Sequence, residues 1–460
     1  MKFICGNCIQ DAYLRSILQG KDRTCSYCRA VGPCHDLEKL GDACLDVLAS
    51  FYEETHNTMA VVHFNRSPEG KDLQDTLQHL KVVADAALGD LVAETLRQWQ
   101  DAQRDSPDEW EEEDDPWFKF NAVRVYRADH LWRQMERSLH REARFLNRKA
   151  LDILDRMFAD LHTSATSDGG PVIVMAGPGH PISRLIRARV FQTDEALDDA
   201  LAHPARNLGT PPVGASQAGR MNAKGQAAFY GATSERVAIA EVRPPVGSWV
   251  VTAPFVLARE MRLLDLSALA EVRMDPTQSL FDPESILRAE RRDFLRALAR
   301  RMVRPVMPDH QDRDYIVTQV VADYLAGLGP EAIDGIVYSS VQVRRTEAEQ
   351  GVNVVLFHHA SGVYGAGQPY RADVHLWEYE DEGPGMWLDP RIRLKDLAPL
   401  EALRWSVGQA EGEAGESGFK PSLRLDVHGL DVHEVRQVHI ETYPSRVDVA
   451  GTAEWAADGD

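Results

Sequence analysis

The sequence predicts an α+β protein with a small cysteine-rich module, a mainly helical domain, a mixed β domain and a β-rich tail. Three observations lead to this prediction. All six cysteines lie between residues 5 and 44. Between residues 36 and 161, apolar residues recur at helical spacing, and after residue 171 short alternating strand patterns are interspersed with helical ones. With 460 residues, the chain is long enough to bury two or three separate cores.

Charge and hydropathy exclude several classes of protein. The formal charge of −20 disfavours general binding to nucleic acids or anionic membranes, because both ligands are polyanions that require Lys and Arg. No apolar run is long enough to span a bilayer, and residues 1–5 (Met-Lys-Phe-Ile-Cys) lack the apolar core of a signal peptide. We therefore expect a cytoplasmic protein whose cysteines are thiols or metal ligands rather than disulfides.

Two C-x-x-C pairs occupy the first module, which we assign to residues 1–35. Cys5 and Cys8 form the first pair, Cys25 and Cys28 the second, and a short amphipathic segment separates them. Such knuckles turn sharply enough to direct four thiolates at one tetrahedral ion, and zinc is the usual occupant. Because all four ligands come from the protein, the predicted zinc ribbon is structural rather than catalytic.

Helical periodicity continues through a second domain, assigned to residues 36–165, and a small polar linker at 164–170 ends it. Its last helix is predicted from about Asp129 through Leu161. Near the end of this helix, Arg156 and His162 have the spacing that resembles the Arg-x-x-x-x-x-His motif of HEPN ribonucleases. This pair supports a hypothesis of RNA cleavage at a dimer cleft, although the same spacing arises often by chance.

The third domain, assigned to residues 171–366, contains two features that suit an anionic ligand. Arg187 and Arg189 alternate with apolar residues on a predicted strand, so they share one face and could contact a diphosphate. Further along, an Arg220-bearing turn precedes a helix that begins after Ser234 and carries Glu241 near its end. A structural alternative is a simple salt bridge between Arg220 and Glu241.

Several separated motifs of this domain resemble the RES family, which is named for an Arg, a Glu and a Ser. The resemblance covers about Val172 to Phe357. The motifs appear in the family's order: Arg187-Ala188-Arg189, Gly219-Arg220-Met221-Asn222 with Gly225 and Tyr230, Ala240-Glu241-Val242-Arg243-Pro244, Tyr315 with Thr318-Gln319, and Asp334 to Ser340. The preceding region looks like the HEPN-associated N-terminal domain found before some RES domains. The resemblance implies an ADP-ribosyltransferase-like fold, consumption of NAD and a toxin role, often with an antitoxin.

The resemblance also implies roles for individual residues. Arg187, Glu241 and Ser340 match the three residues that name the family and are the expected catalytic residues. The family serine is less clearly matched, since this chain has Ser339 beside Ser340. The expected NAD-binding residues are four: Arg189, Arg220, Asn222 and Tyr230.

The residue types support the same chemistry. Breaking the nicotinamide–ribose bond passes through a sugar cation, which a carboxylate such as Glu241 can stabilise. Arginines suit the diphosphate, Tyr230 offers a flat face to the nicotinamide ring, and Ser340 offers a hydroxyl. The expected reaction is NAD hydrolysis, with ADP-ribosyl transfer or phosphorolysis at the same site as alternatives. A zinc-containing nucleotide-sensing protein and the HEPN-type ribonuclease are alternatives of other classes.

The remaining segment, 367–460, is predicted as a β-rich extension with strands at Ala372–Trp377, Leu423–Val427 and Val438–Tyr443. The expected partners are NAD, an antitoxin or trigger protein, and a second copy of the chain.

Overall fold

The computed structural model describes residues 2–17, 20–55, 69–103, 116–120, 125–142, 144, 146–212, 214–273, 278–304, 306–327, 331–340, 342–343, 351–366, 372–380, 386–393, 421–440 and 442–447. Within these residues the protein combines α-helices with a large mixed sheet, in agreement with the predicted α+β class. No helix in the described ranges has the length and apolar character needed to cross a membrane.

The N-terminal region mixes short strands with helices. Its elements are β1 (Phe3–Cys5), α1 (Ala12–Ser16), β2 (Lys21–Thr24), β3 (Val31–Asp36), α2 (Leu37–Phe51), β4 (Tyr52–Thr55), β5 (Lys71–Asp72), α3 (Leu73–His79), α4 (Asp85–Gln103) and β6 (Trp117–Phe120). The strands form two small sheets, β1-β3-β2 and β4-β6-β5. Apolar side chains of α2, α3 and α4 pack with the cysteine-bearing strands in one core.

Two helices, α5 (Val125–Arg141) and α6 (Arg148–Phe158), replace the single helix expected from Asp129 through Leu161. The sequence prediction is wrong here because Leu146 adopts a left-handed conformation with φ of 57°. Asn147 then caps α6 through its side chain, which accepts a hydrogen bond from the amide of Ala150 at 3.0 Å. Helical periodicity on both sides of this break concealed it.

The rest of the chain is built on a nine-stranded sheet flanked by helices. Its strands and helices are β7 (Ile173–Ala176), β8 (Arg184–Phe191), α7 (Asp194–Ala202), α8 (Pro204–Leu208), β9 (Phe229–Ala232), α9 (Glu235–Val242), β10 (Trp249–Leu257), β11 (Met261–Asp265), α10 (Leu266–Ala270), α11 (Glu284–Val303), α12 (Gln311–Ala326), β12 (Gly335–Ser339), β13 (Val352–Leu356), β16 (Leu423–Leu425) and β17 (Asp431–Glu434). A separate hairpin pairs β14 (Asp373–Tyr379) with β15 (Met386–Arg393).

The order of the large sheet is β16-β10-β8-β9-β13-β12-β11-β7, and β17 also pairs with β10. β11 and β12 are parallel, whereas the other described pairs are antiparallel. Strands β8, β9, β13 and β12 are therefore neighbours, and they carry most of the candidate site. The register of β8 with β9 contains one described pair, Ile186 with Ala232.

One hydrophobic core crosses the boundary that we expected at residue 165. Side chains of α5 and α6 pack with those of α11, α12 and the inner strands in a single cluster. The tail is also integrated, since β16 and β17 extend the large sheet. The strand expected at Val438–Tyr443 is wrong for the described residues there, which adopt no regular structure; Glu441 lies outside the described part.

Candidate functional site

The four predicted metal ligands lie together in the N-terminal region. Cys5 Sγ is 3.4 Å from Cys28 Sγ, Cys25 Sγ is 3.9 Å from Cys8 Sγ, and all four sulfurs lie within 4.8 Å of one another. Sulfurs that share one tetrahedral zinc would be about 3.8 Å apart. Cys34 instead donates a hydrogen bond to the carbonyl of Arg23. The donor set and its spacing fit a structural four-thiolate zinc ion.

Arg187 and Arg189 lie on β8, where the alternation of the strand places both side chains on one face. Arg187 Nη1 donates to the carbonyl of Tyr230 at 3.4 Å, and Arg189 Nη2 donates to the carbonyl of Gly209 at 3.3 Å. Burial and the neighbouring charge of Arg189 lower the pKa of Arg187 to about 9. The two cations therefore repel each other in a partly buried place, and an anion between them would be favourable.

A cavity of about 790 Å³ opens beside these two arginines. Its wall also includes Arg206 on α8 and the residues around the turn at Gly219, among them Ser216, Asn222 and Tyr230. Cavities of this size commonly hold cofactor-sized ligands. The cavity is therefore a candidate site for an anionic ligand.

The turn at Gly219 is fixed by hydrogen bonds in which Asn222 and Tyr230 are central. The hydroxyl of Tyr230 donates to Asn222 Oδ1 at 2.7 Å and accepts from the amide of Met221 at 3.1 Å. A Cβ at Gly219 would come within 2.5 Å of both Asn222 Oδ1 and the Tyr230 hydroxyl, so only glycine fits. Asn222 is buried and its amide group donates to three backbone carbonyls. Its side chain therefore shapes the turn, and only the ring of Tyr230 remains for a ligand.

Helix α12 supports the same turn from outside. Gln319 Nε2 donates to the carbonyls of Gly219 and Asn222 at 2.8 and 3.0 Å. Thr318 Oγ1 donates to the carbonyl of Arg220 at 2.6 Å. Thr318 and Gln319 of the sequence motif thus stabilise the backbone of the turn.

Arg220 contacts α12 and the residue that follows α11. Its Nη1 donates to the carbonyl of Arg304 at 2.7 Å, and its guanidinium lies 5.3 Å from the centre of the Tyr315 ring. Glu241 makes its own contacts elsewhere, and the described part of the chain holds no ion pair between Arg220 and Glu241. The simple salt bridge considered as a structural alternative is therefore absent from these residues.

Glu241 lies on α9, which begins after Ser234 as predicted: the Ser234 hydroxyl accepts from the amide of Val237 at 3.3 Å. Glu241 Oε1 accepts hydrogen bonds from Asn353 Nδ2 at 2.5 Å and from Ser340 Oγ at 3.3 Å. We call these three residues the Glu241 cluster. Two side-chain donors on one oxygen hold the carboxylate in place.

The neighbouring serine makes a different contact. Ser339 Oγ lies 3.1 Å from Ser267 Oγ, whereas Ser340 contacts Glu241. This difference places Ser340, the better match to the family serine, beside the carboxylate.

Tyr338 lies near both the Glu241 cluster and the residues of the turn. Burial raises the pKa of Tyr338, and the nearby charge of Glu241 and the neighbouring Tyr230 raise it further, while Arg220 opposes them. Tyr230 on β9 and Asn353 on β13 lie on the same sheet face as Tyr338, according to the registers of β9, β13 and β12. The carboxylate and the aromatic residues of the turn therefore share one sheet face.

Arg156 and His162, the residues of the ribonuclease hypothesis, do not share a helix. Arg156 lies on α6 and forms an ion pair with Glu290 of α11. His162 follows the end of α6, and its Nδ1 lies 3.7 Å from Glu331. Each side chain faces its own carboxylate, so the geometry expected of an Arg–His motif on one helix is not present.

Sequence reasoning missed Asn353, which donates the shortest described hydrogen bond to Glu241. One signal could have found it: Asn353 is a polar residue inside the otherwise apolar strand β13, and it is 2 % exposed. A buried amide in an apolar strand requires a hydrogen-bond partner.

The residues of the cavity, the turn and the Glu241 cluster lie in a part of the chain that matches a known family. Residues 184–377 match the model of the RES domain. Comparison with curated proteins and with solved structures gave no match. The RES match includes every site residue from Arg187 to Asn353 and leaves out the cysteine cluster and helices α1 to α6. It supports the resemblance seen in the motifs, and the RES family is associated with NAD-related toxin activity.

Proposed function

We propose that the RES region is an NAD glycohydrolase, which cleaves the nicotinamide–ribose bond with water as acceptor and acts as a toxin or defence effector. The observation that carries this proposal is the Glu241 cluster, a carboxylate held by Asn353 and Ser340 on the sheet face that also carries Tyr230 and Tyr338. Its position within the RES match supports NAD as the substrate.

Substrate binding is assigned to the arginine-lined cavity. Arg187 and Arg189 would hold the diphosphate, since their present hydrogen bonds to carbonyls are long and leave most guanidinium donors available. Tyr230 would offer the face of its ring to the nicotinamide. Arg220 and Asn222 would act indirectly, because they fix the turn through backbone and ring contacts.

The chemical step is assigned to the Glu241 cluster, and substrate binding to the arginine-lined cavity. Nicotinamide leaves with the bonding electron pair and needs no proton, which produces a ribosyl cation. The carboxylate of Glu241 stabilises this cation and orients the attacking water. The water oxygen bonds to C1′ of the ribose and one proton passes to solvent, which yields ADP-ribose and free nicotinamide. Ser340 and Asn353 keep the carboxylate oriented throughout.

The structural zinc ion would stabilise the N-terminal module through Cys5, Cys8, Cys25 and Cys28, with no part in the reaction. That module is a candidate sensor for the trigger or antitoxin. Removal of everything before Thr166 is a poor test of this idea, because α5 and α6 contribute to the core of the RES region. Loss of trigger response after zinc chelation is the appropriate measurement.

The proposed activity is tested with purified full-length protein and NAD that carries a label on adenine. We expect nicotinamide release with free labelled ADP-ribose, and loss of release in Glu241→Gln. Label attached to protein would indicate ADP-ribosyl transfer instead. Absence of any turnover by a protein that binds NAD tightly would contradict the proposal and support a nucleotide-sensing role.

A further inference from the structure

Helix α12 contacts two parts of the molecule, the turn at Gly219 and the helices α5 and α6. Toward the turn, Gln319 and Thr318 donate hydrogen bonds to three backbone carbonyls. Toward α6, the hydroxyl of Tyr324 donates to Asp155 Oδ1 at 2.8 Å. Helix α12 thus joins a wall of the cavity to helices that precede the RES match.

The side chain of Gln319 makes the most direct connection between these two parts. Its Nε2 atom donates to the carbonyls of Gly219 and Asn222, and its Oε1 atom accepts a hydrogen bond from Arg144 Nη2 at 2.9 Å. Arg144 lies between α5 and α6, outside the RES match, whereas Gln319 and the turn lie inside it. A residue that precedes the RES region therefore contacts the side chain that holds the turn.

The amide group of Gln319 has two possible orientations with different consequences for the turn. Its donor end and its acceptor end have nearly the same shape, and a half-turn about the last side-chain bond exchanges them. The reversed orientation would direct Oε1 at two carbonyl oxygens, which are acceptors themselves. A guanidinium donates and cannot accept, so Arg144 also requires Oε1 on its side of the amide. Both contacts therefore favour the orientation in which Nε2 faces the turn.

Burial makes the contact with Arg144 important for Gln319. Gln319 is 5 % exposed, so its polar atoms depend on partners within the protein. Without Arg144, a buried acceptor would be left unpaired, which is unfavourable. Movement of the amide toward water would lower that cost, but it would weaken the hydrogen bonds to Gly219 and Asn222.

The turn in its present place is needed to hold the residues of the cavity wall. Asn222 accepts the hydrogen bond of the Tyr230 hydroxyl, and both residues line the cavity. Met221 of the same turn is buried in the hydrophobic cluster that includes side chains of α5, α6 and α12. A shift of the turn would therefore move Asn222 and, through it, the ring of Tyr230.

We propose that Arg144 is a positioning residue that holds Gln319 and thereby makes the affinity of the cavity for NAD depend on the helices α5 and α6. The inference rests on the proposed NAD-cleaving function and adds a means of control to it. Coupling between two sites is reciprocal. A partner that draws Arg144 away from Gln319 would weaken the binding of NAD, and NAD would weaken the binding of that partner.

The test measures nicotinamide release from NAD by wild-type, Arg144→Met and Arg144→Lys protein. Methionine keeps an unbranched side chain but loses the donor, so KM should rise roughly three- to tenfold while kcat changes less than about twofold. Lysine keeps a charged donor, and its KM should lie closer to the wild-type value. Arg148→Met, at an exposed arginine that begins α6, is the matched control and should keep the wild-type KM. An unchanged KM in Arg144→Met, or equal KM increases in the methionine and lysine variants, would overturn the inference.

A double-mutant cycle with Gln319→Met determines whether Arg144 acts through Gln319. Changes to residues that act through one contact are not additive, so Arg144→Met should alter the KM of Gln319→Met less than about twofold. Effects that multiply would show that Arg144 acts elsewhere and would overturn the inference. Melting temperatures verify that each variant folds. If Gln319→Met does not fold, the comparison of the two Arg144 variants still decides.

Failure of this inference and failure of the proposed function give different results. NAD cleavage with the same KM in wild-type and Arg144→Met protein overturns the role of Arg144 and leaves the proposed function standing. Absence of cleavage by the wild type overturns the proposed function, and calorimetric titration of NAD into the same proteins then measures affinity directly. Weaker binding by Arg144→Met supports the inference. Equal binding, or no binding by the wild type, overturns it.

Discussion

Glu241 accepts two side-chain hydrogen bonds on one oxygen, whereas Arg187 and Arg189 donate long hydrogen bonds to backbone carbonyls at the edge of the cavity. The carboxylate is oriented before any ligand arrives. The guanidinium groups keep most of their donors available, and an anion between them would offset their mutual repulsion. The proposed function therefore assigns different roles to the two regions, with chemistry at the Glu241 cluster and substrate affinity at the arginine-lined cavity.

The largest effect is expected from loss of the negative charge of Glu241, the residue to which the chemical step is assigned. Glu241→Gln should keep the hydrogen bonds from Asn353 and Ser340, because Gln retains an acceptor oxygen, but it removes the negative charge. We expect kcat for nicotinamide release to fall roughly 10³-fold, as for loss of one preorganised electrostatic contact in other enzymes. Glu235→Gln on the same helix is the control, since Glu235 contacts Thr252 and His433 instead.

The second prediction concerns Arg187, which is assigned to binding of the dinucleotide. Arg187→Gln should raise KM for the dinucleotide roughly 10- to 100-fold, because contacts between charged groups contribute about 1.5–3 kcal/mol. Steady-state kinetics separate this effect from a change in kcat. Arg184→Gln, on the same strand but paired with Asp426, should change KM little. A loss confined to kcat would contradict the division between the two regions.

A smaller effect distinguishes the two adjacent serines. Ser340→Ala removes one of the two donors to Glu241, so kcat should fall about tenfold. Ser339→Ala removes only the contact with Ser267 and should leave kcat near the wild-type value. Comparison of the two variants by nicotinamide release assigns the family serine, and the opposite ranking would transfer that role to Ser339.

The smallest effect on the reaction is expected from the N-terminal metal centre. Metal analysis should find one zinc ion per chain, and Cys25→Ser should lower the zinc content and the thermal stability of the N-terminal region. The core around the cysteines consists mainly of N-terminal elements, and it meets the RES region where Val47 and Phe51 of α2 pack against Ala289 of α11. Because Cys25 lies outside that contact, kcat should change less than about threefold. Zinc-free wild-type protein of unchanged stability would contradict the metal assignment.

The sequence could predict those parts of the molecule that local spacing determines. The two C-x-x-C pairs place their sulfurs within each knuckle, and the β1–β3 and β2–β3 pairings bring the knuckles together. Ser234 is recognisable in the sequence as the N-cap of the helix that carries Glu241. Alternation along β8 likewise places Arg187 and Arg189 on one face.

Residues that depend on strand neighbours could not be predicted in the same way. Asn353 lies 112 positions after Glu241, and only the pairing of β13 with β9 brings it close. Helical periodicity continued across residues 142–147, so the pattern concealed the break at Leu146.

The division of labour is tested most directly by calorimetric titration of NAD into wild-type, Glu241→Gln and Arg187→Gln protein, with nicotinamide measured in each sample afterwards. We expect Glu241→Gln to bind NAD with an affinity close to that of the wild type and to leave it intact. Arg187→Gln should bind more weakly and still release nicotinamide at high NAD concentration. Loss of NAD binding by Glu241→Gln, with unchanged binding by Arg187→Gln, would contradict the account.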